Sequence, residues 1–156
     1  MPIDDMTRAP NELGAVAVIG LGIMGSRMAG RLLDAGFPLR GFDPDPARLS
    51  EFEAAGGALA GSPDEVVRGC WSVLLSLPNS DVSRRVCLGE NGIAASGVSP
   101  LLVLDATTGR PEDAIENAAG LAKVGIEYAD TTVSGNAPVA AAGELVVMVG
   151  GSAEAY

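Results

Sequence analysis

Apolar residues run unbroken through Ala15-Val16-Ala17-Val18-Ile19 and stop at Gly20. A short β-branched run without polar alternation predicts a parallel strand covered on both faces. Met24, Met28 and Leu32 then recur every four residues, with Arg27, Arg31 and Asp34 off their line. This spacing predicts an amphipathic helix over 23–35, stopped by Gly36. The pattern continues with a strand over 39–42 and a helix over 47–55, for which Asp45 is the N-cap and Pro46 the first helical residue. A short strand over 58–60 precedes a brief helix opened by Ser62-Pro63-Asp64-Glu65 and ending near Gly69. Further strands are predicted over 71–77, 101–104 and 127–131, with helices over 80–88 and 112–124 between them. A glycine- and alanine-rich loop over 134–143 and a last strand over 145–149 complete the pattern. Strands alternating with helices through short connections predict an α/β fold with a doubly wound, mainly parallel sheet. It forms a single domain over 14–156, preceded by a flexible lead over 1–13.

The polar interruptions fall where the strands end. Gly20-Leu21-Gly22-Ile23-Met24-Gly25 closes the first strand and opens the first helix. A Gly-x-Gly-x-x-Gly turn in that setting lets backbone approach a dinucleotide pyrophosphate, with the helix N-terminus facing the anion. Asp43 follows the second strand, 18 residues after Gly25. An acid at that distance is placed to accept hydrogen bonds from the adenosine ribose hydroxyls. Its charge would repel a 2′-phosphate by a few kcal/mol at about 4 Å and an effective dielectric near 20. NAD is therefore expected over NADP. Arg48 is the nearby cation in sequence, but it belongs to the following helix rather than to the residue after Asp43.

Composition narrows the chemistry. Net charge is −10 with no run among the ten basic residues, which argues against nucleic acid and anionic membrane partners. The apolar run around Gly20 is too short to span a bilayer. Cys70 and Cys87 lack metal-ligand spacing, so no metal site is expected, and free buried thiols fit a reducing, cytoplasmic setting. There is no His, and Lys123 is the single Lys. The usual neutral-pH proton carriers are thus nearly absent. Lys123 is read as a solvated helix residue away from the strand ends.

The glycine turn, with Met28-Ala29 and Leu32-Leu33 after it, resembles the β-hydroxyacid dehydrogenase family. That family includes 3-hydroxyisobutyrate dehydrogenase and tartronate semialdehyde reductase and is related to 6-phosphogluconate dehydrogenase. Leu77-Pro78, Asn91-Gly92-Ile93, Asp105-Ala106-Thr107-Thr108 with Pro111, and the segment over 130–151 also match family motifs in order. The resemblance covers 14–152. It implies a Rossmann-like cofactor domain in which the glycine turn, Asp43, Leu77, Pro78, Val82 and Thr108 hold the cofactor. It further implies that Thr107, Ser134, Gly135 and Asn136 hold a small 3-hydroxy acid. Thr107 stands where the family usually has Ser, and Asn136 where it has Gly, which narrows the substrate pocket. The general acid/base lysine of the family belongs to a helical second domain and is expected beyond Tyr156. No catalytic residue is thus expected within the chain, which is predicted to bind NAD and to turn over little alone. Such a half is also expected to expose apolar surface and self-associate as a homo-oligomer.

Three other readings keep a glycine turn. Relatives that reduce imines or semialdehydes with NADPH tend to carry Asn-Arg-Thr after the second strand, where Asp43-Pro44-Asp45 stands here. A non-catalytic NAD-sensing module would suit the missing histidine and near-missing lysine. A methyltransferase shares an acid after the second strand, but the glycine spacing and the later motifs argue against it.

Overall fold

The structure is a computed structural model that describes residues 9–99 and 101–153. Residues 1–8 of the expected lead lie outside the described residues, and its last part contains a 3-10 turn, Pro10–Glu12. Six strands run parallel: β1 (Ala15–Ile19), β2 (Leu39–Phe42), β3 (Ala58–Leu59), β4 (Cys70–Leu75), β5 (Leu101–Asp105) and β6 (Ile126–Asp130). The helices between them are α1 (Ile23–Asp34), α2 (Pro46–Ala54), α3 (Pro63–Val66), α4 (Ser80–Leu88) and α5 (Pro111–Ala122). Beyond β6 the chain forms β7 (Val133–Ser134), α6 (Ala137–Ala142), β8 (Val146–Val147) and β9 (Gly150–Gly151).

The main sheet has the order β3-β2-β1-β4-β5-β6-β9, with β9 antiparallel to β6. The chain winds outward from β1 to β3, then returns to the other side of β1 with β4. This reversal leaves a crevice at the carboxyl ends of β1 and β4.

Both faces of β1 are closed, as its unbroken apolar run predicted. Val16 and Val18 pack with Leu21, Ala29 and Phe52 under α1 and α2. Ala17 and Ile19 pack with Val66, Val86, Cys87 and Leu121 under α3, α4 and α5. Val18 and Ile19 are closed to solvent, and each such side chain stabilises the fold by roughly 1.5–3 kcal/mol.

The expected cap of α2 is in place. Asp45 accepts a hydrogen bond from Ala47 N–H and caps α2, while Asn79 accepts from Val82 N–H and caps α4. Ser62 does not cap α3; its hydroxyl donates instead to Asp64. The segment after β6 departs furthest from expectation. The predicted loop over 134–143 contains α6, capped by Asn136, whose side-chain oxygen accepts from Val139 N–H. The helix ends at Gly143 with φ +76, a left-handed turn suited to glycine. The predicted last strand does not join the main sheet: β8 pairs with β7 as a separate two-stranded sheet, and Gly150–Gly151 supply the edge strand.

Candidate active site: a dinucleotide cleft

A cleft of about 530 Å3 opens at the point where the chain order reverses. Its walls include Gly20, Gly22, Ile23, Met24, Asp43 and Arg48 from the β1 and β2 side. Leu77, Pro78 and Val82 close it from the β4 side.

The glycine turn is built to near-zero clearance. Gly20 has φ +91, and a Cβ there would lie 2.2 Å from the Ser76 carbonyl oxygen. A Cβ on Gly25 would lie 1.9 Å from the Gly20 carbonyl oxygen. Two glycines are therefore required for the turn to pass between β4 and α1. Gly22 begins α1 without a side-chain cap. The first turn of that helix thus presents amide groups and the positive end of its dipole to the cleft. The cradle suits an anionic pyrophosphate approached by backbone alone.

Asp43 ties the end of β2 to this turn. Its carboxylate is buried; Oδ2 accepts from Leu21 N–H at 2.7 Å, and Oδ1 accepts from Asp45 N–H at 2.9 Å. A carboxylate has about four lone-pair sites; the two amides and Arg48 Nη1, which donates to Oδ2, leave room for about one ribose hydroxyl. Arg48 reaches back from α2 to place Nη1 3.3 Å from Asp43 Oδ2 and Nε 3.5 Å from Asp45 Oδ2. The same guanidinium lies 3.5 Å from the Cβ position of Gly22. Its position one turn into α2, three residues after the cap, is the sequence signal for this reach.

The remaining expected site residues separate into distinct places. Leu21 differs from expectation: its side chain is in the core and its N–H belongs to Asp43, so it braces the turn from behind the cleft. Thr107 is buried; its Oγ1 accepts from Leu77 N–H at 3.1 Å, and its own N–H donates to Asp105 Oδ1 at 2.9 Å. Thr108 is exposed and lines a separate hollow with Asn79, Ser80 and Arg110. Ser134, Gly135 and Asn136 are exposed beyond the carboxyl end of β6, on the same edge of the sheet as the cleft but outside its walls. Gly135 has φ +145, and a Cβ there would press to 2.6 Å from Leu145. Lys123 is exposed where α5 leads into the amino end of β6, the opposite edge of the sheet.

Behind the β4 wall lies a buried polar cluster that the apolar pattern did not reveal. Asp105 Oδ2 accepts from Ser83 Oγ–H and, at 2.9 Å, from Tyr128 Oη–H. Asn117 Nδ2 donates to Ser83 Oγ at 3.1 Å. Burial, followed by the Asp105 charge, pushes the Tyr128 hydroxyl well above the usual tyrosine range. The same two causes push the Cys87 thiol up to about 12. The available signal was the polar residues Ser83 and Asn117 on otherwise inward-facing helix positions.

The fold and cleft define a dinucleotide-binding α/β domain. Residues 15–156 match the family model of the NAD binding domain of 6-phosphogluconate dehydrogenase, and the chain belongs to that family. It is 40% identical to L-threonate dehydrogenase of Cupriavidus necator over 141 residues, which are 90% of this chain and 48% of that protein. It is 38% identical to mitochondrial 3-hydroxyisobutyrate dehydrogenase of Rattus norvegicus, covering 87% of this chain and 41% of that one. A solved structure of Mycobacterium tuberculosis 3-hydroxyisobutyrate dehydrogenase with L-serine superposes with a TM-score of 0.85 at 36% identity, covering 92% of this chain and 48% of the other. The chain spans about half the length of these relatives. The resemblance read from the motifs, the Rossmann-like fold and the NAD class of cofactor are borne out. Among the described residues, no helix is long and apolar enough to cross a membrane.

Proposed function

We propose that this chain is the cofactor half of an NAD-dependent 3-hydroxyacid dehydrogenase, acting on a small hydroxy acid or its semialdehyde. The observation that carries the reading is the closure of Gly20 and Gly25 against backbone oxygens, with Asp43 fixed on the turn's own amide. Gly20, Gly22, Ile23, Met24 and Gly25 hold the pyrophosphate, and Asp43 receives the adenosine ribose. Leu77, Pro78 and Val82 flank the second nucleotide, with Thr108 near its far end. NAD, when bound, supplies or accepts the hydride.

Ser134, Gly135 and Asn136 are proposed to receive the polar groups of the hydroxy acid. The Asn136 oxygen is taken by Val139 N–H, which leaves the two side-chain N–H donors for substrate. Histidine is absent from the sequence, and Lys123 stands at the opposite edge of the sheet from the cleft. By its resemblance to the hydroxyacid dehydrogenases, proton transfer is assigned to a lysine of a further domain. Hydride transfer needs the reacting atoms about 3–3.5 Å apart with that group in place.

A cytoplasmic setting fits the two free, buried cysteines. Self-association is supported by the exposed apolar run Val146, Val147, Met148 and Val149.

Calorimetric titration with NADH tests the reading, alongside turnover assays across small 3-hydroxy acids. NADH binding with negligible turnover by the 156 residues alone is expected. Failure to bind NADH, or full turnover by this chain alone, would contradict it.

A further inference from the structure

Thr107, expected beside substrate, is buried, and its hydroxyl oxygen accepts a hydrogen bond from the cleft wall. β4 ends at Leu75, whose carbonyl accepts from Ala106 N–H, and Ser76 N–H is taken by the Ile19 carbonyl. The next amide, Leu77 N–H, has passed the end of the sheet ladder, and it donates to Thr107 Oγ1 across 30 residues of sequence. Thr107 is itself held from behind. Its N–H donates to Asp105, and Asp105 is locked by Ser83 and Tyr128. The buried polar cluster therefore reaches the cleft wall through this hydroxyl.

We propose that Thr107 is a positioning residue: it acts on the bound dinucleotide through Leu77 N–H, setting the wall that faces the nicotinamide half. The inference rests on the dinucleotide reading of the cleft given above. Its asymmetry follows from the topology. The β1–β3 half carries Asp43 and the adenosine side, so the β4 side, with Leu77 and Pro78, faces the other nucleotide. Loss of the Thr107 hydroxyl should then weaken recognition of the nicotinamide nucleotide and leave the ADP-ribose portion unaffected. A residue that merely supports the fold would weaken both alike, and one that touches substrate would weaken neither.

The test is calorimetric titration of the full-length protein with NADH and, separately, with ADP-ribose, comparing wild type, Thr107→Val and Thr107→Ser. Valine keeps the volume and removes the acceptor; serine keeps the acceptor. Thr107→Val is expected to weaken NADH binding about tenfold, the scale of one lost hydrogen bond. ADP-ribose binding stays within about twofold, and Thr107→Ser restores NADH binding. Equal losses for both ligands, no loss for either, or failure of serine to restore binding would overturn the proposal. Amide exchange supplies a readout independent of any variant. Leu77 N–H is expected to exchange slowly in the wild type, and exchange at an open-loop rate would overturn the proposal. Wild-type protein that binds neither ligand would remove the dinucleotide reading itself; binding of ADP-ribose without NADH would leave that half of the reading intact and overturn the proposal alone.

Discussion

Alanine in place of glycine at two positions of α1 should act with opposite sign. Gly25 and Gly30 lie on the same helix. In an open helix interior, alanine stabilises over glycine by about 0.8–1 kcal/mol. Gly30 is such a position, since a Cβ there meets nothing within 4 Å. At Gly25 the added carbon would lie 1.9 Å from the Gly20 carbonyl oxygen and 3.2 Å from Ser76 Cβ. The first is a backbone atom with no rotamer to change, so α1 must move off β1 or the turn must open. Overpacking of this kind typically costs about 1–3 kcal/mol. The two variants should therefore differ by roughly 2–4 kcal/mol. For a chain of this size that is roughly 5–15 °C in Tm. Thermal unfolding of both variants beside the wild type reads the stability, and NADH titration reads the site. Gly30→Ala should melt slightly above wild type and bind NADH normally, whereas Gly25→Ala should melt below it and lose at least about tenfold in affinity. Equal melting temperatures, or normal NADH binding by Gly25→Ala, would refute the packing argument.

Asp45→Asn keeps the cap of α2, because asparagine caps as well as aspartate, but removes one of the two charges that hold Arg48. The NADPH-to-NADH affinity ratio should rise several-fold, and adding Arg48→Ala should abolish the gain; parallel titrations check both. Cys87 should resist thiol reagents in the native protein at pH 8 and react on unfolding, since its thiol is pushed up to about 12 by burial and then by Asp105. Stability should decline from about pH 9 towards pH 12. Across that window the unfolded thiol has lost its proton while the folded thiol keeps it, so the unfolded state binds fewer protons and gains in population. Chemical denaturation at pH 8 and pH 11 measures the difference. Gly41→Ala should destabilise the packing of α2 on β2 by about 1–3 kcal/mol, because its Cβ would lie 2.4 Å from the Phe52 ring; thermal unfolding reads the loss.

Much of the site was legible because backbone geometry left its mark on residue type. Gly20 and Gly25 are glycines for steric reasons now visible, and Asp45 is the cap that Pro46 after it implied. The double burial of β1 was readable from its missing alternation. What stayed hidden depends on contacts distant in sequence. Whether Asp43 faces solvent or the Leu21 amide is decided by where β2 lies beside β1. The polar cluster of Ser83, Asp105, Asn117 and Tyr128 joins four elements, and no local period announces it. The segment after β6 misled for a different reason. Its glycine and alanine content suggested a loop, although Asn136 and Gly143 carry the start and stop of a short helix. Gly150–Gly151 pair through backbone alone, so no side-chain pattern marks them as the sheet edge.

The dinucleotide is expected to lie across the carboxyl ends of β1 and β4. Amide chemical shifts recorded while NADH is added test it most directly. The largest changes should fall on the turn over 20–25 and on Leu77, with Gly30 and Gly36 unmoved. Changes confined instead to the α5 face around Ile115 and Ala119, or no changes at all, would contradict the account.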